Sequence, residues 1–137
     1  MKRIILFSLM TLSVLASCSK EKTIENHLSR KDGIWYINKL TELDFKDGNQ
    51  TDMYVGMNWG FFQFQESGTG TITSNGNIES FNWSNTKDQL LLESDGTTIN
   101  FTIVEESRKF ITLNYVETET IGSSVYTRDY TYELEKK

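Results

Sequence analysis

The chain has 137 residues, with 14 basic and 19 acidic side chains, a formal charge of −5, one cysteine, one histidine and no proline. That length fits one domain, and a single cysteine excludes an internal disulfide. The acidic balance repels nucleic acid and anionic lipid headgroups, which argues against both as partners.

Residues 1–17 have the layout of a secretory signal. Lys2 and Arg3 precede an apolar run from Ile4 to Leu15, and small residues follow. The run is too short to cross a bilayer stably. Leu15-Ala16-Ser17-Cys18 comes directly after it and resembles the lipobox of bacterial lipoproteins. The resemblance implies cleavage before Cys18 and attachment of lipid, palmitate-type chains included, to Cys18. Several acyl chains anchor stably where one would not. Cleavage leaves 12 basic against 19 acidic residues, a mature charge of −7. Ser19 stands where an aspartate would imply inner-membrane retention, so the resemblance implies the outer membrane. Lys20-Glu21-Lys22 is unlike the acidic run that marks some surface-exposed lipoproteins, which implies the periplasmic face. The plainer alternative is a free cysteine.

Residues 18–32 are a polar tether. Ile24 and Leu28 sit four apart, on one face of a short helix, with Thr23 as a candidate N-cap and Gly33 as a stop. Two readings stand: a helical plug closing one end of a barrel, or a spacer with a frayed helix.

From Ile34 the hydrophobic period becomes two. Candidate strands are 34–45, 59–66, 69–74, 78–84, 89–94, 97–105, 109–119 and 123–134. Asp47-Gly48-Asn49, Ser67-Gly68, Asn75-Gly76-Asn77, Asp95-Gly96 and Gly122 punctuate them, and such glycine-bearing pairs serve tight hairpins. Loops this short join antiparallel neighbours only. The expected fold is all-β: a single eight-stranded antiparallel up-and-down meander over residues 33–135. Closure into a barrel hides its edges. The stretch from Lys46 to Asn58 carries Met53, Tyr54, Val55 and Met57. It reads as a lid over the mouth or as a backward extension of the second strand.

Alternation assigns the inward faces. Phe62 and Phe64, Phe81 and Trp83, Phe101 with Ile99 and Ile103, and Tyr115 with Ile111 and Leu113 form inward sets. On the last strand Tyr126, Arg128, Tyr130, Tyr132 and Leu134 share one side. The eight aromatics Phe62, Phe64, Phe81, Trp83, Phe101, Tyr115, Tyr126 and Tyr130 are the candidate ligand-lining residues. Packed core is the competing reading for each, because an eight-stranded barrel either fills itself or holds one small ligand. Arg128 is read either as a rim residue with its head in water or as a cation over Trp35, since first and last strands are neighbours in a closed barrel.

Gly33-Ile34-Trp35 on the first strand, with Arg128 on the last, resembles the lipocalin signature. The match is nearest to small lipocalin-like lipoproteins of the Bacteroidetes, in which a lipobox and tether precede Gly-x-Trp. A segment similar to Phe62-Gln63-Phe64-Gln65-Glu66-Ser67-Gly68-Thr69-Gly70 and a strand bearing Trp83 follow. The resemblance implies a barrel with Trp35 packed at its closed end and Arg128 across it. The strands are short for that family and its other motifs are absent, which counts against a deep calyx.

His27, the only histidine, lies in the tether and reads as surface. A His-based catalytic site or zinc site within the barrel is therefore not expected. Glu105-Glu106 and Glu117-x-Glu119 read as a solvated rim. No cofactor, metal or enzymatic activity is expected. The leading expectation is a monomeric, membrane-anchored envelope lipoprotein whose barrel binds a small apolar or amphipathic molecule. Its rivals are a protein-interaction or inhibitor module acting through the acidic surface, and a glycan-binding module using Trp59, Phe61, Tyr54 or Trp83.

Overall fold

A computed structural model describes residues 19–137. The signal segment and Cys18 lie outside the described residues. Residues 19–29 form a helix, α1. Eight strands follow: β1 (Ile34–Lys46), β2 (Asn49–Phe64), β3 (Thr69–Ser74), β4 (Asn77–Asn85), β5 (Gln89–Ser94), β6 (Thr97–Glu106), β7 (Phe110–Ile121) and β8 (Ser124–Glu135). Each pairs antiparallel with the next, and β8 returns to β1, closing the barrel. The expected meander and helical plug are both present.

Asp47-Gly48, Asn75-Gly76 and Asp95-Gly96 each place two consecutive residues at positive φ. That is the geometry of two-residue type I′ hairpins, whose twist matches the strands they join. These turns, with the one at Gly122, lie at one end of the barrel. The connections at the other end are longer, and α1 lies across that end. Ile24 and Leu28 of α1 are 0% and 1% exposed and join the core with Trp35, Phe64, Leu90, Ile111 and Leu134. The Trp35 indole Nε1–H donates to the Leu28 carbonyl at 3.0 Å. The plug is thus held by apolar burial and by one buried hydrogen bond.

Gly33 makes that junction possible. Its φ is +69°, and its carbonyl accepts from Phe64 N–H at 2.9 Å. A Cβ there would sit 1.8 Å from the Phe64 carbonyl oxygen. The glycine is required by both conformation and close approach.

The second strand begins at Asn49, not at residue 59. The apolar stretch with Met53 and Val55 is the backward extension of β2, paired with β1 from Lys46↔Asn49 to Thr41↔Val55. β3 pairs only with residues 61–64 of β2, and β6 only with residues 111–114 of β7. The ordered consequence is a four-stranded wall, β2–β1–β8–β7, that rises beyond the short strands on one side of the open end.

Candidate functional site: the open end of the barrel

A cavity of about 460 Å³ opens at the turn end. Its floor is Phe62, Phe81, Phe101, Leu92, Ile72, Ile99 and Tyr132, with Trp59 at the side. Its mouth carries Ser74, Asn77, Glu79, Ser94, Asp95 and Thr97. The volume falls within the range of small-molecule pockets, and an apolar floor under a few polar groups is their usual make-up. No lysine or arginine lines it.

The barrel is not filled by its own side chains because the strands around the mouth bring small residues there. At the mouth β3 ends in Ser74 and β5 in Ser94. The Ser94 hydroxyl donates to the Ser80 carbonyl at 2.8 Å. Glu79 and Asp95 both line the mouth beside this bond.

The aromatics form a continuous chain of contacts from plug to wall. Ring centroids are 5.7 Å apart for Phe64–Phe62, 6.1 Å for Phe62–Tyr132, 5.5 Å for Tyr132–Phe101, 5.8 Å for Phe101–Tyr115 and 5.9 Å for Tyr115–Tyr130. Of the sequence candidates, Phe62, Phe81 and Phe101 line the cavity. Phe64 and Trp83 lie deeper, packed edge to face at 5.5 Å. The Trp83 Nε1–H donates to the carbonyls of Gln65 and Thr69, so its indole faces the closed end. Tyr115 and Tyr130 stand on the inner face of the wall. Tyr126 lies further out, exposed, in a separate recess of about 190 Å³ with Asp44, Glu117, Glu119 and Arg128.

Tyr132 and Trp59 are cavity residues outside the candidate set. Tyr132 shares the stripe of Tyr130, so its signal was in the alternation. Burial pushes its phenol up to about 12, with no hydrogen bond contributing, so it stays neutral. Trp59 has the wrong parity when counted back from Phe62. A bulge opposite Asn38 separates the pairs Lys39↔Met57 and Ile37↔Gly60, with Asn58 at φ +50° and Gly60 at φ +143°. The extra residue re-aims Trp59. A glycine inside a strand was its only sequence signal.

Arg128 does not meet Trp35. The register sets it opposite Asp44, far along β1 from Trp35. Its Nε lies 2.9 Å from Asp44 Oδ1 and 3.0 Å from Glu42 Oε1, and Nη1 donates to the Tyr130 hydroxyl at 3.4 Å. The hydrogen bond to Tyr130 and the pairing with Asp44 raise its pKa further. The group over Trp35 is Lys136, just past β8, with Nζ 5.0 Å from the ring centroid. Residue type alone favoured the arginine, whereas the register decided the contact.

His27 also departs from its surface reading. Its Nδ1 contacts Glu106 Oε1, and both side chains are 16% exposed. Glu106 is therefore a tie between β6 and the plug, not a free rim carboxylate. Among the described residues no group of three His, Cys, Asp or Glu side chains is arranged to hold a metal ion, and no helix is long and apolar enough to cross a membrane.

These features define a class: a plugged, eight-stranded up-and-down antiparallel barrel with one open, aromatic-floored mouth, compatible with a lipocalin-like barrel. No protein-family model, curated protein or solved structure matches the chain.

Proposed function

We propose that this chain is an envelope lipoprotein, anchored to the outer membrane through acylated Cys18 and facing the periplasm, whose barrel binds a small apolar or amphipathic molecule. The observation that carries the binding reading is the 460 Å³ cavity with its aromatic floor and polar mouth. The anchor reading rests on Lys2, Arg3, the apolar run and Leu15-Ala16-Ser17-Cys18. The similarity to lipocalin-like lipoproteins of the Bacteroidetes supports joining the two. Glu79 and Asp95 at the mouth make the head of the ligand neutral or cationic, because a carboxylate head would meet like charge.

The test is titration of the barrel with dodecanol and with dodecyltrimethylammonium, read by quenching of tryptophan fluorescence and by native mass spectrometry. Saturable one-to-one binding that Phe81→Asp abolishes is expected. Absence of binding by either probe would rule the reading out.

A second reading is an interaction module. The wall favours it: residues 49–59 of β2 pair only with β1 among the described residues, leaving an edge that another chain can extend. Met53 and Met57 on that edge are 56% and 63% exposed. Capture of a single envelope protein by the barrel, lost in Val55→Pro and indifferent to cavity variants, would favour the module over the ligand binder.

A further inference from the structure

The plugged end carries charge that the protein itself does not neutralise. Lys20, Lys22, Lys39, Lys87 and Arg128 all have acidic partners within ion-pair distance. Arg30, Lys31, Arg108, Lys109, Lys136 and Lys137 have none among the described residues, yet they line one recess of about 580 Å³. Among the described residues Glu135 is the only acidic residue lining it, and that carboxylate already accepts from the Asn38 amide; Glu66 stands in the adjoining recess with Arg30, Lys31 and Arg108. Lys136 is 9% exposed and its Nζ has no hydrogen-bond partner among the described residues. Phe110, beside Lys109 in the chain, is 55% exposed.

We propose that the plugged end docks on anionic lipid headgroups, with Arg30, Lys31, Arg108, Lys109 and Lys137 against phosphates and Phe110 in the interfacial layer. Among the described cations without an acidic partner, only Lys46, at the turn end of β1, lies off this face; a chain of net negative charge so arranged binds anions chiefly through that face. Flexible basic side chains around an exposed aromatic suit a bilayer surface, where the ring enters the headgroup region and the cations stay among phosphates. Nucleic acid would use the cations, but no aromatic side chain lines the basic recess itself for successive bases to stack on.

The geometry also fits the anchor. The first turn of α1 is tied to the end of β4 by Asn85 Nδ2–H donating to the Glu21 carbonyl at 3.0 Å. The helix crosses the plugged end from there to Arg30. Lipid on Cys18 and the basic face would be two attachments on the same end of the barrel, a combination that holds more firmly than either signal alone. They would point the cavity mouth away from the bilayer. This orientation rests on acylation of Cys18, whereas the basic face does not.

Residues 19–137 contain every pairing of the closed barrel and its plug, so this unacylated piece is the test protein. Co-sedimentation is measured with vesicles of phosphatidylcholine alone and with about one-third phosphatidylglycerol. Binding at least about tenfold stronger to the anionic vesicles, and lost at high salt, is expected. The variant Arg30→Gln/Lys31→Gln/Arg108→Gln/Lys109→Gln, with unchanged circular dichroism, should lose that preference, and Phe110→Ser should weaken it. Equal partition onto both vesicles, or full retention by the quadruple variant, would overturn the proposal. So would tighter binding of inorganic phosphate or single-stranded DNA than of anionic vesicles. If the quadruple variant does not fold, Arg108→Gln/Lys109→Gln serves, with half the effect expected and no effect overturning it.

Discussion

Lys136 holds its ammonium 5.0 Å from the centroid of the Trp35 ring while making no hydrogen bond to any described residue. Two effects compete there. A cation over an indole gains about 0.5–2 kcal/mol. A buried polar group without an acceptor costs about 1–3 kcal/mol, more for a charge. The cost prevails, and burial accordingly lowers the Lys136 pKa, against a smaller opposing pull from Asp32. Lys136→Met should therefore raise the thermal midpoint at neutral pH. The pH dependence has a definite sign. Between the lowered folded pKa and the unfolded 10.5, the unfolded chain binds more protons. This lysine's penalty is full below the folded value and is relieved as pH rises through that window. The gap between Lys136→Met and the parent should narrow on approach to pH 10.5, as read by urea unfolding at each pH.

Trp35 has 0% exposure, packs in the core with the plug residues Ile24 and Leu28, and donates to the Leu28 carbonyl. Trp35→Ala should cost about 3–5 kcal/mol in urea unfolding. Trp35→Phe keeps most of the packing but orphans that carbonyl, so about 1 kcal/mol is expected. Hydrogen exchange should show its effect concentrated in residues 19–29. A loss below about 1 kcal/mol for the alanine variant would be incompatible with the ring's place in the core.

The strand order was legible because each hairpin carries its own chemistry. Asp-Gly and Asn-Gly pairs fix two-residue turns, and alternation fixes which side chains face inward, as with Phe62, Phe64, Phe81 and Trp83. Local rules stop at irregularities and at long-range register. The bulge that re-aims Trp59 adds one residue to one strand, which shifts parity without changing composition. Arg128 and Lys136 differ by only eight positions on the same strand and its extension. Nothing local says which of them reaches Trp35; the β1–β8 register does. The His27–Glu106 contact joins residues 79 apart in sequence, and depends on how α1 seats across the end. The cavity was least legible, since a packed aromatic core and a vacant one share the same inward residues. The serines that end β3 and β5 at the mouth, Ser74 and Ser94, make the difference.

Cys18 lies outside the described residues, and its role is open to a direct chemical test. Cys18→Ala removes the thiol that would receive lipid. Expressed in full length in a bacterial host, it should show no incorporation of labelled palmitate and should accumulate as uncleaved precursor. The parent should appear as a smaller, labelled, membrane-bound form. Normal labelling and fractionation of the variant would refute the lipobox assignment and leave residues 1–17 as an ordinary secretory signal.

The mouth of the cavity should select by head-group charge. Glu79 and Asp95 sit on one rim and no cation lines the site. Both are solvent-exposed, so each contributes about 0.2–1 kcal/mol, attracting an ammonium and repelling a carboxylate. The aromatic floor adds nothing that distinguishes chain-matched tails. Dodecyltrimethylammonium should therefore bind about tenfold or more tighter than laurate, with dodecanol between them. Glu79→Gln/Asp95→Asn should bring the three together while leaving dodecanol affinity near its parent value, and high salt should do the same to the parent protein. The same three probes separate the two ways of failing. If none binds, the barrel is not a receptor for small amphiphiles. If all bind equally in the parent, the cavity is a receptor whose mouth carboxylates lie too far from the seated head to be felt.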